Sequence, residues 1–303
     1  MPNKAGILID DLFMGHDTGQ HPESPARIRA VKQAVLDRPE LKQISFSPAS
    51  QTVVRLVHQQ EYLTQLKQIC RAGGGWLDAD TVVKSDSYQV AMAAVGACLA
   101  GMQCLLEGDL TRVFAAIRPP GHHAHPGHGA GFCLLNNAAV AIRYAQQQTD
   151  AKVLLVDFDA HHGDGSQAIF YTDDTVFYFS THQYPGYPGS GTKDEIGQAA
   201  GRGYTANWPV PPGSGDGEIL PIYQDKLPQI VDWFQPDLVV VSAGYDLHQA
   251  DPLTQLQVST AGIGQIVSLI CQLNLPVMFV LEGGYNLTAL QESVAVSLSA
   301  LTS

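Results

Sequence analysis

In the stretch V-L-L-V-D-F-D-A-H-H-G-D-G, residues 153–165, a short apolar run is followed by five side chains that can bind metals or transfer protons. They are Asp157, Asp159, His161, His162 and Asp164. A buried carboxylate is costly unless it is paired or bound to a metal, so stability alone does not account for the cluster. Alternate side chains of an extended chain share a face, so Asp157, Asp159 and His161 point one way and His162 points away. The spacing predicts a metal site at the end of a buried strand.

Asp159 and His161 are the ligands that this spacing favours, with Asp157 lying deeper as a hydrogen-bond acceptor behind them. Carboxylate and imidazole together suit zinc, manganese or iron. The candidate for a third ligand is Asp246 in S-A-G-Y-D, which also follows an apolar run. Three protein ligands leave one coordination position open, which is typical of a catalytic metal rather than a structural one.

A second cluster, R-P-P-G-H-H-A-H-P-G-H, contains four histidines. They are His122, His123, His125 and His128. The adjacent first two cannot face the same way on extended backbone, so they suit acid–base chemistry better than shared ligation of one metal. Each needs an acceptor for its second ring nitrogen, and Asp157 and Asp164 are both available. The other two fit a solvated or metal-binding surface tract, and we assign them no role.

Tyr285 lies in E-G-G-Y-N, where two glycines allow the backbone to approach other groups closely. A phenol in such a crevice can donate a hydrogen bond to the oxyanion that develops when a carbonyl is attacked. We therefore predict Tyr285 to be a further member of the site.

Each of these clusters follows a short apolar run, and helix-period segments separate the runs. Such runs predict a parallel sheet covered on both faces by helices, whose ligand crevice lies at the carboxyl ends of the strands. Strands are predicted over residues 5–9, 112–117, 152–158, 175–180, 237–242 and 276–281. Helices are predicted over about residues 24–38, 86–107, 136–148, 217–234, 259–273 and 287–301. The Gly- and Pro-rich segment 183–216 is expected to be a long functional loop, and residues 1–303 are expected to form one domain.

Composition narrows the function further. The net charge of −12 over 303 residues argues against nucleic acid or an anionic membrane as a partner. No run approaches the apolar length of a membrane span, and the N-terminus lacks the apolar core of a signal peptide. Five scattered cysteines without C-x-x-C spacing fit reduced thiols, which predicts a cytoplasmic protein. The oligomeric state is left open.

Taken together, the motifs resemble the zinc-dependent histone deacetylase family, in its bacterial deacetylase-like branch. The resemblance extends from H-P-E-S-P-A-R (21–27) through G-F-C-L-L-N-N (131–137) and the clusters above to L-E-G-G-Y-N, so it spans nearly the whole chain. It implies an α/β fold with three αβα layers around a mostly parallel sheet of about eight strands, of the arginase/deacetylase type. It also implies a zinc-dependent amidohydrolase that removes acetyl or other acyl groups from lysine side chains or similar amines.

The resemblance also implies a role for each matching residue. Asp159, His161 and Asp246 would bind Zn²⁺. His123, paired with Asp164, would act as general base and then acid, whereas His122, paired with Asp157, would act electrostatically. Tyr285 would polarise the amide carbonyl. Four positions would line the acyl-lysine channel, namely Gly131, Phe132, Tyr187 and Leu253, of which Tyr187 is the loosest match.

Further positions match secondary features of the family. Arg27 corresponds to an arginine near the acetate-release channel, and the acidic residue that holds the substrate backbone is either Asp78 or Asp80. Family members bind K⁺ at two sites. The first would use Asp157, Asp159, His161, Ser180 and Thr181, partly through carbonyl oxygens, and the second Phe170, Asp173, Val176 and Tyr204.

Three alternative functions compete with this interpretation. An arginase-like dimanganese enzyme needs two bridging aspartates, whose places are taken here by Gly163 and Gly244. A catalytically inactive module that binds an acylated ligand should have lost a ligand, the histidine pair or the tyrosine, and all are present. A deacetylase of acetylpolyamines or other small acylated amines stays open, although Leu253 offers no charge at the pocket rim.

Overall fold

The structure, a computed structural model, describes residues 4–36 and 38–303. Ten strands occur in this part of the chain, and eight of them form one sheet in which every neighbouring pair is parallel. The strands are β1 (Ala5–Leu8), β2 (Lys42–Gln43), β3 (Gly74–Trp76), β4 (Val82–Lys84), β5 (Arg112–Ala115), β6 (Val153–Asp157), β7 (Val176–Gln183), β8 (Thr205–Val210), β9 (Leu238–Ala243) and β10 (Val277–Leu281). The sheet order is β2-β1-β5-β10-β9-β6-β7-β8, and β3 and β4 form a separate antiparallel hairpin.

Helices cover both faces of the large sheet. They are α1 (Ala26–Val35), α2 (Gln51–Val54), α3 (Gln60–Arg71), α4 (Ser87–Leu106), α5 (Asn137–Gln148), α6 (Asp164–Phe170), α7 (Asp216–Phe234), α8 (Thr260–Cys271) and α9 (Leu287–Thr302). Alternate residues of β6 enter different cores, because Leu154 and Val156 pack with α1, α7, α8 and α9, whereas Val153 and Leu155 pack with α4 and α5. The predicted three-layer αβα architecture with a central parallel sheet is confirmed. The assignment of residues 1–303 to a single domain stays a prediction.

The interpretation of residues 183–216 as one long loop is wrong in part. The segment contains strand β8, Thr205–Val210, and a short 3-10 helix, Ala199–Gly201. Strand β8 was missed because T-A-N-W-P-V has no continuous apolar run. Pro209 is tolerated there because β8 lies at the edge of the sheet, where one side of the strand needs no ladder hydrogen bonds.

Helix α4 departs from the expectation that no segment approaches the composition of a membrane span. Among the described residues it is the one helix long and apolar enough to cross a membrane, and 67% of its most apolar stretch is buried inside the protein. Its buried side chains pack with α5 and the sheet. A helix covered on several sides inside a core meets the same criterion of length and composition.

The fold brings the predicted clusters to one edge of the sheet. Strands β5, β10, β9, β6 and β7 are consecutive neighbours, and each is followed by one of the polar motifs. Their ends lie level, since Asp157 at the end of β6 pairs in register with Ser242 of β9 and Ser180 of β7. The carboxyl edge of the central strands is therefore the place to search for the site.

Candidate active site

Asp159, His161 and Asp246 converge at the carboxyl ends of β6 and β9. The Nδ1 atom of His161 lies 3.0 Å from Oδ1 of Asp159 and 3.1 Å from Oδ2 of Asp246. One ligand atom of each residue lies within 4.8 Å of the others, and both aspartates are buried. Burial opposes a charge on His161, but hydrogen bonds to Asp159 and Asp246 raise its pKa to about 10. The two carboxylates thus place strong negative charge around one point.

Backbone amides orient the two carboxylates. The Gly283 N–H donates to Oδ2 of Asp159 at 2.9 Å, and the Ala160 N–H donates to Oδ1 of Asp246 at 2.8 Å. The remaining carboxylate oxygens both face His161. Two oxygens and one imidazole nitrogen directed at a common point fit a zinc ion that keeps a coordination position open.

The packing also explains why the site suits one ion rather than two. A Cβ atom at position 244 would overlap the Asp159 carboxylate, and one at position 163 would overlap Oδ2 of Asp157. These are the positions at which a dimanganese enzyme would need its two bridging aspartates. Because only glycine fits at either position, a second bridged ion has no ligands there.

His122 and His123 lie side by side, with ring centroids 4.0 Å apart. The expectation that they cannot face the same way is wrong, because the backbone is not extended here but forms a turn, closed by the Ala124 N–H to the Gly121 carbonyl at 2.9 Å. Nδ1 of His122 lies 3.2 Å from Asp157, and Nδ1 of His123 lies 2.7 Å from Asp164. The structure thus brings each histidine to a separate carboxylate.

The two histidines have opposite charge preferences. Burial disfavours a charge on His122, but Asp159 and Asp157 outweigh it and raise the pKa of His122 well above its ordinary value. Burial, reinforced by the charge on His122, lowers the pKa of His123 to about 3, against the opposing effect of Asp164. With its Nδ1 proton directed at Asp164, neutral His123 presents Nε2 as a proton acceptor.

A cavity of about 240 Å³ lies above the three candidate metal ligands. It is lined by Asp80, His123, Gly131, Phe132, His161, Tyr187, Leu253 and Tyr285. All four predicted channel residues are in this set, including Tyr187, whose ring meets that of His123 edge-on at 5.1 Å. Gly131 and Phe132 both have left-handed backbone, with φ of 54° and 70°, a conformation that is unusual for phenylalanine.

Tyr285 is held from both sides. Its backbone N–H donates to Oδ2 of Asp251 at 2.7 Å, and the guanidinium of Arg27 lies 5.2 Å from the centre of its ring. Burial, together with the nearby charge of Asp246, raises the pKa of Tyr285 well above its ordinary value, so the phenol keeps its proton as a hydrogen-bond donor. Sequence reasoning missed Asp251, since A-D-P-L carries no spacing that relates it to Tyr285.

The choice between the two acidic residues of L-D-A-D-T follows from their hydrogen bonds. The Asp78 carboxylate accepts from the backbone amides of Asp80, Thr81 and Gly131 at 2.6–3.2 Å. Asp80 instead lines the cavity. Asp78 therefore shapes the rim, and Asp80 is the acid placed to meet a ligand.

A buried ion-pair network behind the cavity was also missed. Glu23 accepts from Arg118 through both carboxylate oxygens and from Nη1 of Arg27 at 3.2 Å. Arg27 in turn donates to the carbonyls of Gly284, at 2.7 Å, and Glu282, whereas Arg118 belongs to the segment that carries the histidine pair. All three charged side chains are fully buried. Glu23 therefore connects the segments that carry His123 and Tyr285.

Replacing Glu23 by alanine is expected to lower the free energy of unfolding by about 3–5 kcal/mol, because two arginines lose their buried counter-charge. Burial alone would raise the pKa of Glu23, but the charge and hydrogen bonds of Arg118 lower it from 4.5 to about 2. This stabilisation is complete above about pH 4.5 and is lost as the pH falls toward 2. Chemical denaturation of both proteins at pH 7 and pH 3 measures the effect.

The matched control is Glu40→Ala, which removes a half-exposed partner of Arg38 at 3.6 Å. We expect that change to cost less than about 1 kcal/mol. Equal losses from the two substitutions would contradict the structural role given to Glu23.

The residues predicted to bind K⁺ lie in two groups, one beside Asp157 near the carboxyl end of β7 and one around the amino end of β7. Ser180 and Thr181 belong to β7, next to Asp157 in the sheet, and Oγ of Ser180 lies 2.9 Å from Nδ1 of His182. In the second group the Phe170 carbonyl accepts the Asp173 N–H at 3.0 Å, and the Tyr204 carbonyl accepts the Tyr178 N–H at 2.9 Å. Each of these carbonyls keeps a second lone pair. Ion binding at either group stays a prediction.

Comparisons with known proteins agree with this geometry. Residues 21–301 match the family described as the histone deacetylase domain. A probable deacetylase of Archaeoglobus fulgidus is 35% identical over 93% of this chain and 81% of its own. A histone deacetylase-like amidohydrolase of Pseudomonas aeruginosa is 34% identical over 89% of this chain and 77% of its own. The crystal structure of the HDA15 HD domain superposes with a TM-score of 0.94 at 32% identity, covering 99% of this chain and 90% of that one.

Proposed function

Because the chain belongs to the histone deacetylase family and is a hydrolase that acts as a deacetylase, we propose that it removes acetyl groups from lysine side chains with one zinc ion. The zinc ligands in this proposal are Asp159, His161 and Asp246. The observation that carries it is their convergence beneath a cavity that also contains His123 and Tyr285.

Zinc, when bound, is a Lewis acid that lowers the pKa of water from about 15.7 toward about 7. His123 takes a proton from the attacking water through Nε2, because its Nδ1 proton is engaged by Asp164 at 2.7 Å. Tyr285 donates its hydroxyl proton in a hydrogen bond to the amide oxygen as negative charge builds up there. His123 then returns the proton to the leaving amine, while His122, held by Asp157, keeps a positive charge beside it.

The substrate is an acylated amine, as the family implies. We favour acyl-lysine in a peptide or protein, since the channel walls Phe132, Tyr187 and Leu253 suit a methylene chain and Asp80 at the rim can accept backbone N–H groups. A small acylated amine such as an acetylpolyamine is the second candidate. Leu253, which is 42% exposed, places no charge where a second amine would lie.

Two further elements complete the proposal. K⁺ would occupy the two groups of residues described above, one with Ser180 and Thr181 and the other with Phe170, Asp173, Val176 and Tyr204. Arg27 would border the route by which acetate leaves. We also propose a cytoplasmic location without nucleic-acid or membrane partners, supported by five free cysteines and the net charge of −12.

The substrate proposal is tested by ranking kcat/KM for acetyl-lysine peptides, longer acyl-lysines and acetylpolyamines. We expect acetyl-lysine peptides to exceed acetylpolyamines by about tenfold or more, a difference of about 1.4 kcal/mol in transition-state binding. Leu253→Glu should shift the ratio toward acetylpolyamines, because it adds a carboxylate at the rim for a distal ammonium group. If the wild-type enzyme preferred acetylpolyamines, these compounds rather than acyl-lysine would be its substrates.

A further inference from the structure

We propose that His125 is a positioning residue for catalysis, which holds Asp164 so that Asp164 can orient His123. The proposal rests on the function proposed above and concerns a histidine that had no role in the interpretation of the sequence. Nε2 of His125 lies 2.9 Å from Oδ2 of Asp164, and Nδ1 of His123 lies 2.7 Å from Oδ1 of the same carboxylate. One aspartate thus joins two imidazoles, one in the cavity and one at its outer side.

The His125 ring is itself fixed by its surroundings. Its backbone N–H donates to the His128 carbonyl at 2.9 Å, and the two rings stack with centroids 4.5 Å apart and planes 9° from parallel. The His125 carbonyl lies 3.1 Å from Nδ1 of His58, whose Nε2 accepts the Asn136 N–H at 2.9 Å. Burial lowers the pKa of His58 to about 4, so this ring stays neutral and donates through Nδ1. The ring that contacts Asp164 therefore has little freedom to turn away.

Two consequences follow for His123. With both oxygens engaged by ring N–H groups, the Asp164 carboxylate cannot rotate, and it keeps the His123 proton on Nδ1 and the Nε2 lone pair in the cavity. The second hydrogen bond also draws part of the carboxylate charge away from His123, which reduces the tendency of His123 to be protonated before water attacks. The charged and titratable groups around His123, His125 and Asp164 are His58, Asp78, His122, His128, Cys133, His161, His162, Tyr178 and Tyr187.

Substitutions at position 125 separate the hydrogen bond from other effects. His125→Gln keeps an amide N–H near the position of Nε2, whereas His125→Asn places its amide near Nδ1, out of reach of Asp164. His128→Ala tests the stacking separately, because it removes the ring that stacks on His125 but leaves the hydrogen bond between His125 and Asp164. The zinc-loaded enzyme is assayed with an acetyl-lysine peptide for kcat, KM and the pH profile of kcat/KM.

We expect His125→Ala and His125→Asn to lower kcat by about 10–100-fold with KM changed by less than about threefold, and to move the acid limb of kcat/KM to higher pH. His125→Gln should stay within about threefold of wild type, with the acid limb unmoved. His128→Ala should fall between wild type and His125→Asn, because it removes only the ring that stacks on His125. A His125→Asn enzyme with the wild-type kcat and pH profile would overturn the proposal. A His125→Gln enzyme as impaired as His125→Asn would also overturn the proposal, because a purely structural role for the imidazole ring would then account for the loss of activity.

A measurement independent of turnover separates this inference from the proposed function. Histidine ¹⁵N NMR of the zinc-loaded protein reports the tautomer and protonation of His123 directly. We expect the Nδ1-protonated form in wild type and His125→Gln, and a higher titration midpoint of His123 in His125→Asn. Wild type that cleaves no acylated amine would contradict the proposed function alone, whereas identical His123 spectra in wild type and His125→Asn would contradict the role of His125.

Discussion

An Asp246→Ala variant is expected to lose its zinc and to hydrolyse an acetyl-lysine reporter at least about 10³-fold more slowly than wild type. Asp246 follows strand β9, whereas the other two proposed ligands follow β6, so its removal leaves only Asp159 and His161 to hold the ion. It also deprives the Ala160 N–H of its acceptor. Metal content by elemental analysis and initial rates on the same preparation measure both effects.

The matched control is Asp225→Ala, which removes the same charge from an exposed position of α7. It should bind one zinc ion per chain and keep the wild-type rate. An Asp246→Ala protein that retains one tightly bound zinc ion and normal turnover would show that Asp246 is not a ligand.

Tyr285→Phe should lower kcat by about 10²–10³-fold, the usual effect of removing one donor from a developing oxyanion. The substitution removes a single oxygen atom, so the ring contacts with Phe132 and Arg27 persist and the protein should unfold at the same denaturant concentration. KM should change little, because the hydrogen bond strengthens only as the carbonyl gains charge. Steady-state kinetics on the acetyl-lysine reporter give the two constants separately.

Tyr184→Phe serves as the comparison, since Tyr184 is exposed and is not among the residues that line the cavity. Its kinetics should equal those of wild type. If the Tyr285→Phe enzyme kept the wild-type kcat, Tyr285 would take no part in the reaction. The metal and the histidines would then be the only participants.

The parts of this protein that repeat a simple pattern could be predicted from its sequence. The six apolar runs identified all form strands of the central sheet, and four of the motifs that follow them meet in one cavity or directly beneath it. Asp159 and His161 could be predicted because they are close in the sequence just after β6, although residues 159–161 form a bend rather than the extended chain assumed. Strand β2, with two exposed residues, and the edge strand β8 lack an apolar run and were missed.

The contacts of the supporting residues could not be predicted for a different reason. Glu23 meets Arg118 95 positions away, Arg27 meets Gly284 257 positions away, and Asp251 meets Tyr285 34 positions away. A single charged residue gives no indication of such partners, because its burial depends on segments that fold against it. His125 was likewise indistinguishable from a solvated histidine until the turn at residues 121–124 placed it beside Asp164.

We propose that amide hydrolysis requires one divalent ion, held by Asp159, His161 and Asp246. The most direct test of this requirement is titration of the chelator-treated protein with Zn²⁺, following acetyl-lysine hydrolysis against the number of ions added per chain. We predict negligible activity without metal and a linear recovery that ends at one equivalent. Full activity in the metal-free protein, or recovery that needs two equivalents, would contradict the account.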